Sequence, residues 1–203
     1  MNILLQGLTM GLAYVAPIGM QNLFVINSAL TNKRKRALLT ALIVIFFDIT
    51  LSLACFFGIG TIMQRFKWLQ MVILCVGSLI VIYIGISLLR AKTQDLEKDQ
   101  PTMSIKKTIS SACVVTWFNP QAIIDGTMML GAFHVTLAAG QETPFITGVA
   151  CASFSWFIGL TFLISLISSK FNAKVMRWIN IVCGVIIIGY GLKLFVSFVQ
   201  MLL

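Results

Sequence analysis

Two aspartates stand inside stretches that otherwise read as membrane spans. Asp48 lies in "VIFFDITLS" and Asp125 in "NPQAIID", whereas the other four acidic residues fall in hydrophilic segments. An acid at the centre of a membrane helix costs on the order of 2.5–3.5 kcal/mol to insert, so neither is expected to face lipid. A carboxyl group in that setting can hold a proton, or bind a cation after losing it. Two further segments carry polar chemistry in apolar runs. "APIGMQN", residues 16–22, joins Pro17 and Gly19 to the amides of Gln21 and Asn22, and "TWFNPQAIID", residues 116–125, joins Asn119 and Gln121 to Pro120.

Proline inside a helix removes a donor and clashes with the carbonyl one turn earlier, freeing backbone groups that lipid cannot satisfy. A break of this kind persists where protein or water meets it. In the second segment Asn119 fits an N-cap and Pro120 the first helical position. The helix that follows would present its positive dipole end and unpaired N–H groups near mid-membrane. Pro17 predicts the same in the first segment, with Gly19 letting a ligand approach the backbone. Two such half-helix ends suit an anionic group such as an α-carboxylate. Pro17, Gly19, Gln21, Asn22, Asn119, Pro120 and Asp125 are therefore the candidate substrate-binding residues, and Asp48 and Asp125 the candidates for ion or proton coupling. Thr50, Gln121, Ser153, Ser155 and Trp156 are available to complete the site. The plainer alternatives are proline kinks that shape packing, and acids tied down by neighbouring hydroxyls, Trp or Tyr, or by a basic group such as Lys193.

The elements that must position these groups follow from composition. The chain has 203 residues, of which 59% are hydrophobic and 10% charged, beyond the range of soluble domains. About 20 apolar residues span a bilayer as helix, and six such runs occur, near 3–30, 37–63, 68–90, 105–133, 144–169 and 175–201. They lack the alternation of barrel strands. The expected fold is an all-α polytopic membrane protein with six transmembrane helices. The first basic residue is Lys33, so no basic n-region precedes the first span, which is expected to stay and form structure. The cysteines at 55, 75, 113, 151 and 183 lie in apolar runs without C-x-x-C spacing and read as small packing residues.

The formal charge of +9 is explained by where it sits. Twelve of the fifteen Lys and Arg residues occupy segments 31–36, 90–107 and 170–177. The positive-inside rule places those three in the cytoplasm and both termini outside. A re-entrant first span would instead leave the N-terminus cytoplasmic. No nucleic-acid partner is needed to account for the charge. Segment 91–107 reads as a hydrophilic linker between a first repeat, 1–90, and a second, 108–203. "PIGMQN" matches "PQAIID" in the step from Pro to Asn or Asp, and "GSLIVIY", 77–83, matches "GVIIIGY", 184–190. Three spans per half, an odd number, predict a 3+3 inverted repeat with helices 1 and 4 broken, a layout of secondary transporters.

"GLAYVAPIGMQNLFVINSAL", the aspartate of "FFDITLS", "TWFNPQAIIDG" and "ASFSWF" together resemble the LysE family of amino-acid exporters, along nearly the whole chain. "PIGMQN" resembles the lysine/arginine exporter branch, whereas the neutral amino-acid branch more often has P-G-P there. The resemblance implies a cytoplasmic (inner) membrane exporter of L-arginine and/or L-lysine, driven by membrane potential or proton exchange. Pro17, Gly19, Gln21, Asn22, Asn119, Pro120, Asp125 and Asp48 match its motif positions. It implies no cofactor and leaves homo-oligomerisation open. Export of neutral amino acids or another small solute is the alternative, with a non-transporting scaffold behind it, for which Gly7 and Gly11 offer a G-x-x-x-G packing face. Enzyme classes lack their parts: there is one histidine, His134, and neither H-E-x-x-H nor G-x-S-x-G.

Overall fold

The computed structural model describes residues 2–17, 19–58, 66–90, 103–168 and 173–202. Among them every regular element is helical: α1 (Ile3–Val15), α2 (Met20–Thr31), α3 (Arg34–Phe56), α4 (Lys67–Arg90), α5 (Ile105–Trp117), α6 (Pro120–Gly126), a π-helical turn (Thr127–Gly131), α7 (Ala132–Thr136), α8 (Glu142–Ser168) and α9 (Ala173–Leu202). By length and composition, α3, residues 142–167 of α8 and residues 184–201 of α9 can each cross a membrane. The pair α1 and α2 makes a fourth candidate, bent by 78°. Large apolar side chains such as Phe46, Trp68, Met128, Phe154 and Trp178 are exposed on the outer faces, as lipid contact requires.

Both expected breaks are present. α1 stops at Val15 and α2 starts after Gly19. α5 stops at Trp117, and α6 starts at Pro120 with Asn119 as its N-cap, Oδ1 accepting from the Ala122 N–H at 3.4 Å. The fourth run departs from expectation at its far end, where a π-turn follows Asp125 and Gly126 and the helical path continues to Thr136. Within the second apolar run, α3 covers the part up to Phe56. α3 ends at Phe56 because Gly58 takes a left-handed φ of 97°, a conformation that stops helices and suits glycine; residues 59–63 of that run lie outside the described residues. The expected linker 91–107 also ends early, since Ser104 Oγ caps α5 by accepting from the Lys107 N–H. Residues 91–102 lie outside the described residues.

Close backbone approaches set the packing. A Cβ on Gly7 would overlap the Phe145 carbonyl oxygen, one on Gly11 would lie 2.8 Å from Val149 Cα, and one on Gly148 would overlap the Leu4 carbonyl oxygen. The G-x-x-x-G face of α1 is thus used within the chain, against α8. α4 and α9 meet in the same way, with Gly85 and Gly184 each 3.0 Å, as Cβ, from the other's carbonyl oxygen.

The two ends of the bundle differ in chemistry. At one, Arg36 donates to the Met103 carbonyl and to Thr108 Oγ1, and the Arg34 guanidinium sits 5.7 Å from the Phe162 ring centre. These contacts gather the starts of α3 and α5 and the late turns of α8 at one end. At the other, Phe56, Phe133, Phe145 and His134 pack together, Phe56 and Phe145 stacked at 5.6 Å and His134 edge-on to Phe56 at 4.7 Å. Ile3 packs against this aromatic cluster, so α1 begins at the aromatic end and α2 finishes at the basic one. Between the two ends lies a core of Val25, Ala41, Val44 and Phe157.

Candidate functional site

Asp48 is wholly buried on the inner face of α3. Its Oδ2 accepts a hydrogen bond from Ser153 Oγ of α8 at 2.5 Å. Its Oδ1 has no group in hydrogen-bonding geometry, and neither has Nε2 of the buried Gln21, which lies beside the same carboxylate. Ser52, one turn along α3, is likewise buried with an unpaired hydroxyl. The acceptor and the amide donor therefore lie against each other without a well-formed hydrogen bond, one turn from an unpaired hydroxyl. Buried polar groups are paired in the great majority of cases, which marks the cluster as prepared for something else.

Asn22 is differently placed. Its Nδ2 donates to the Val15 carbonyl at 3.0 Å and to the Pro17 carbonyl at 2.7 Å, and its Oδ1 accepts from Trp156 Nε1 at 2.8 Å. The two carbonyls are ones that the end of α1 leaves open, so Asn22 closes the break that Pro17 creates. Pro17 itself is exposed. Gly19 has ordinary extended backbone, and a Cβ placed there would meet nothing closer than the Pro17 carbonyl at 4.0 Å. Space rather than conformation distinguishes the glycine. No side chain caps α2 at Gly19, while Asn119 caps α6 at the corresponding position.

Tyr14, at the last turn of α1, reaches the second break. Its hydroxyl donates to the Ala122 carbonyl at 3.5 Å, and Asp48, Cys55 and Asp125 all act electrostatically on it. Gly126 permits this approach, because a Cβ there would sit 2.8 Å from Cys55 Sγ and 3.3 Å from the Tyr14 ring. The two acids that the sequence singles out thus share a neighbourhood built by α1, α3 and α6, with Asp125 half-buried. Trp117 Nε1 donates to Thr50 Oγ1 at 3.2 Å, tying the end of α5 to α3. Ser155 points away, its hydroxyl bonded to its own helix at Ala152. The side chains of Pro120 and Gln121 lie outside the description.

Tyr14, Ser52 and Cys55 are the residues that sequence reasoning passed over. Tyr14 stands three residues before Pro17, and Asp48, Ser52 and Cys55 follow helical spacing on one face, which is the signal available for them. An apolar cavity lined by Met20, Phe24, Asn27, Val81, Val115 and Ile187 lies elsewhere, between α2, α4, α5 and α9, and reaches neither acid.

Residues 12–197 match the LysE type translocator family. Proteins named arginine exporter protein ArgO from Klebsiella pneumoniae (strain 342) and Salmonella schwarzengrund (strain CVM19633) are each 32% identical over 186 residues, covering 89% of this chain and 87% of theirs. One from Salmonella enteritidis PT4 is 31% identical over the same shares. No solved structure matches the chain. By the extent of these matches, the chain belongs to the LysE type translocator family.

Proposed function

We propose that this protein is a secondary transporter that exports basic amino acids, L-arginine and/or L-lysine, across the cytoplasmic membrane. Membership of a translocator family makes it a transporter and not an enzyme. The observation that carries the reading further is the Asp48 cluster, a carboxylate oxygen and an amide donor buried side by side at a broken helix without a well-formed hydrogen bond. A zwitterionic substrate answers both needs. Its carboxylate is taken by the open N–H groups of α2 at Gly19 and by Gln21. Its cationic groups are taken by Asp48 and Asp125, one for the α-ammonium and one for the side chain, and a coupling proton occupies one of the same two carboxyls when the substrate has left. Asn119 and Pro120 start α6 beside this site, and Asn22 and Pro17 shape the break opposite. The arginine named in the relatives supports the basic substrate class.

Six spans in two inverted halves complete the proposal. Supporting it, α1 packs on α8 while α3 packs on α5 and α6, and α4 packs on α9, which is the pairing that exchange of two three-helix halves would produce. Arg36 at the start of α5 and Arg34 beside Phe162 late in α8 support placing segments 31–36, 90–107 and 170–177 on one side, the cytoplasm. The test is efflux of labelled L-arginine and L-lysine, beside L-leucine and L-threonine, from proteoliposomes with a set pH gradient and membrane potential. Saturable efflux of the basic pair alone is expected. Efflux confined to the neutral pair would move the substrate class, and no efflux at all would overturn the transport of amino acids by this chain.

A further inference from the structure

α8 carries two hydrogen bonds to the site, one turn apart and to different elements. Ser153 Oγ holds Asp48 of α3, and Trp156 Nε1 holds Asn22 at the start of α2. Asn22 in turn holds the end of α1 through the Val15 and Pro17 carbonyls. With Ser153 and Ala152 wholly buried and Trp156 half-buried, this stretch of α8 joins the broken first span and the buried acid into one unit. Both amide hydrogens and the carbonyl oxygen of Asn22 are spent on this linkage, whereas Gln21, its neighbour, turns its amide toward Asp48 and takes no part in it. The adjacent amides therefore divide the work: Gln21 faces the site, and Asn22 belongs to the fastening that closes it.

We infer that Trp156 and Ser153 are positioning residues that clamp the site shut, acting through Asn22 and Asp48, and that release of α8 from these two bonds is what admits substrate. Neither side chain is required to touch substrate. The inference rests on the transport reading for the meaning of the site, and its test does not depend on flux.

The reporter is Ser52→Cys, placed in the full-length protein with its five natural cysteines replaced by alanine. Position 52 is 1% exposed in this closed arrangement and one turn from Asp48, so a charged, water-borne thiosulfonate reagent reaches it only when the site opens. Trp156→Phe keeps the ring and removes the donor. Asn22→Asp keeps the acceptor for Trp156 and removes both donations to the α1 carbonyls. A net hydrogen bond corresponds to a change of about fivefold to tenfold in an opening equilibrium, so Trp156→Phe and Ser153→Ala are each expected to speed labelling of Cys at position 52 by about that factor. Asn22→Asp is expected to speed it at least as much. Ser155→Ala, on the same helix and bonded only to its own backbone, should leave the rate unchanged. Folding is followed by size-exclusion profile and melting temperature, so that labelling through unfolding is recognised. If folded Trp156→Phe and Ser153→Ala both label at the parent rate, the clamp is overturned. Absent efflux from the unmodified protein would instead overturn the transport reading and leave the labelling result standing.

Discussion

Replacing Asp48 by Asn separates charge from shape at the centre of the proposed site. The carboxyl is wholly buried, and Ser153 Oγ donates to Oδ2 at 2.5 Å. Asparagine keeps an oxygen for that bond and has nearly the same volume, so packing against α8 survives. What changes is the second position, where Oδ1, the acceptor beside Gln21 Nε2, becomes an N–H donor facing that same amide. Two donors confront each other where an ammonium and a carboxylate would have met complementary groups. A charge-assisted hydrogen bond contributes about 1.5–3 kcal/mol, and at 1.36 kcal/mol per factor of ten its loss corresponds to about a 10- to 150-fold rise in KM for the cationic substrate. The assay is concentration-dependent efflux of labelled arginine from proteoliposomes, with the variant first shown to insert and to melt within a few degrees of the parent. A folded Asp48→Asn variant that keeps KM and Vmax within about twofold would refute the assignment of Asp48 to the substrate or its coupling proton.

Other perturbations test the scaffold around that site. Gly7→Val should separate α1 from α8, because even its Cβ would overlap the Phe145 carbonyl; overpacking of this kind costs about 1–3 kcal/mol or more, and a lowered melting temperature with reduced yield is expected. Asn119→Ala should cost about 1 kcal/mol through the lost cap on α6, while Asn119→Ser, which still caps, should recover most of it; thermal stability of the two variants in one detergent decides. Phe56→Ala should lower stability by about 3–5 kcal/mol, since this wholly buried ring stacks on Phe145 and meets His134 edge-on, and an unchanged melting temperature would show that the aromatic end contributes nothing to holding the helices. Trp117→Phe should disturb the junction of α5 with α3 by removing the bond to Thr50, read as a lower melting temperature that Thr50→Val does not lower further.

Some features of this protein were determined by residues near one another in the chain. The breaks at 16–19 and 118–119 follow from proline, whose missing N–H and ring clash act within one turn, and the start of α6 follows from Asn119 beside Pro120. Long apolar runs place helices for the same local reason, although the end of α3 depended on the left-handed backbone at Gly58, which the apolar run continuing past it concealed. The meeting of Arg36 with the start of α5 accords with the expectation that alternate segments between spans share a side. What tertiary structure alone decided is which of several buried polar groups meet. Asp48 and Ser153 are 105 positions apart, and Asn22 and Trp156 are 134 apart, distances over which no spacing rule operates. Asn22 and Gln21 look alike as neighbours in "PIGMQN", yet helical geometry turns one toward its own break and α8 and the other toward Asp48. Tyr14, Ser52 and Cys55 are ordinary residues of apolar helices until packing brings α1, α3 and α6 together. The physical reason is common to all of these: backbone conformation is settled within a turn or two, whereas the pairing of buried polar groups depends on how whole helices cross.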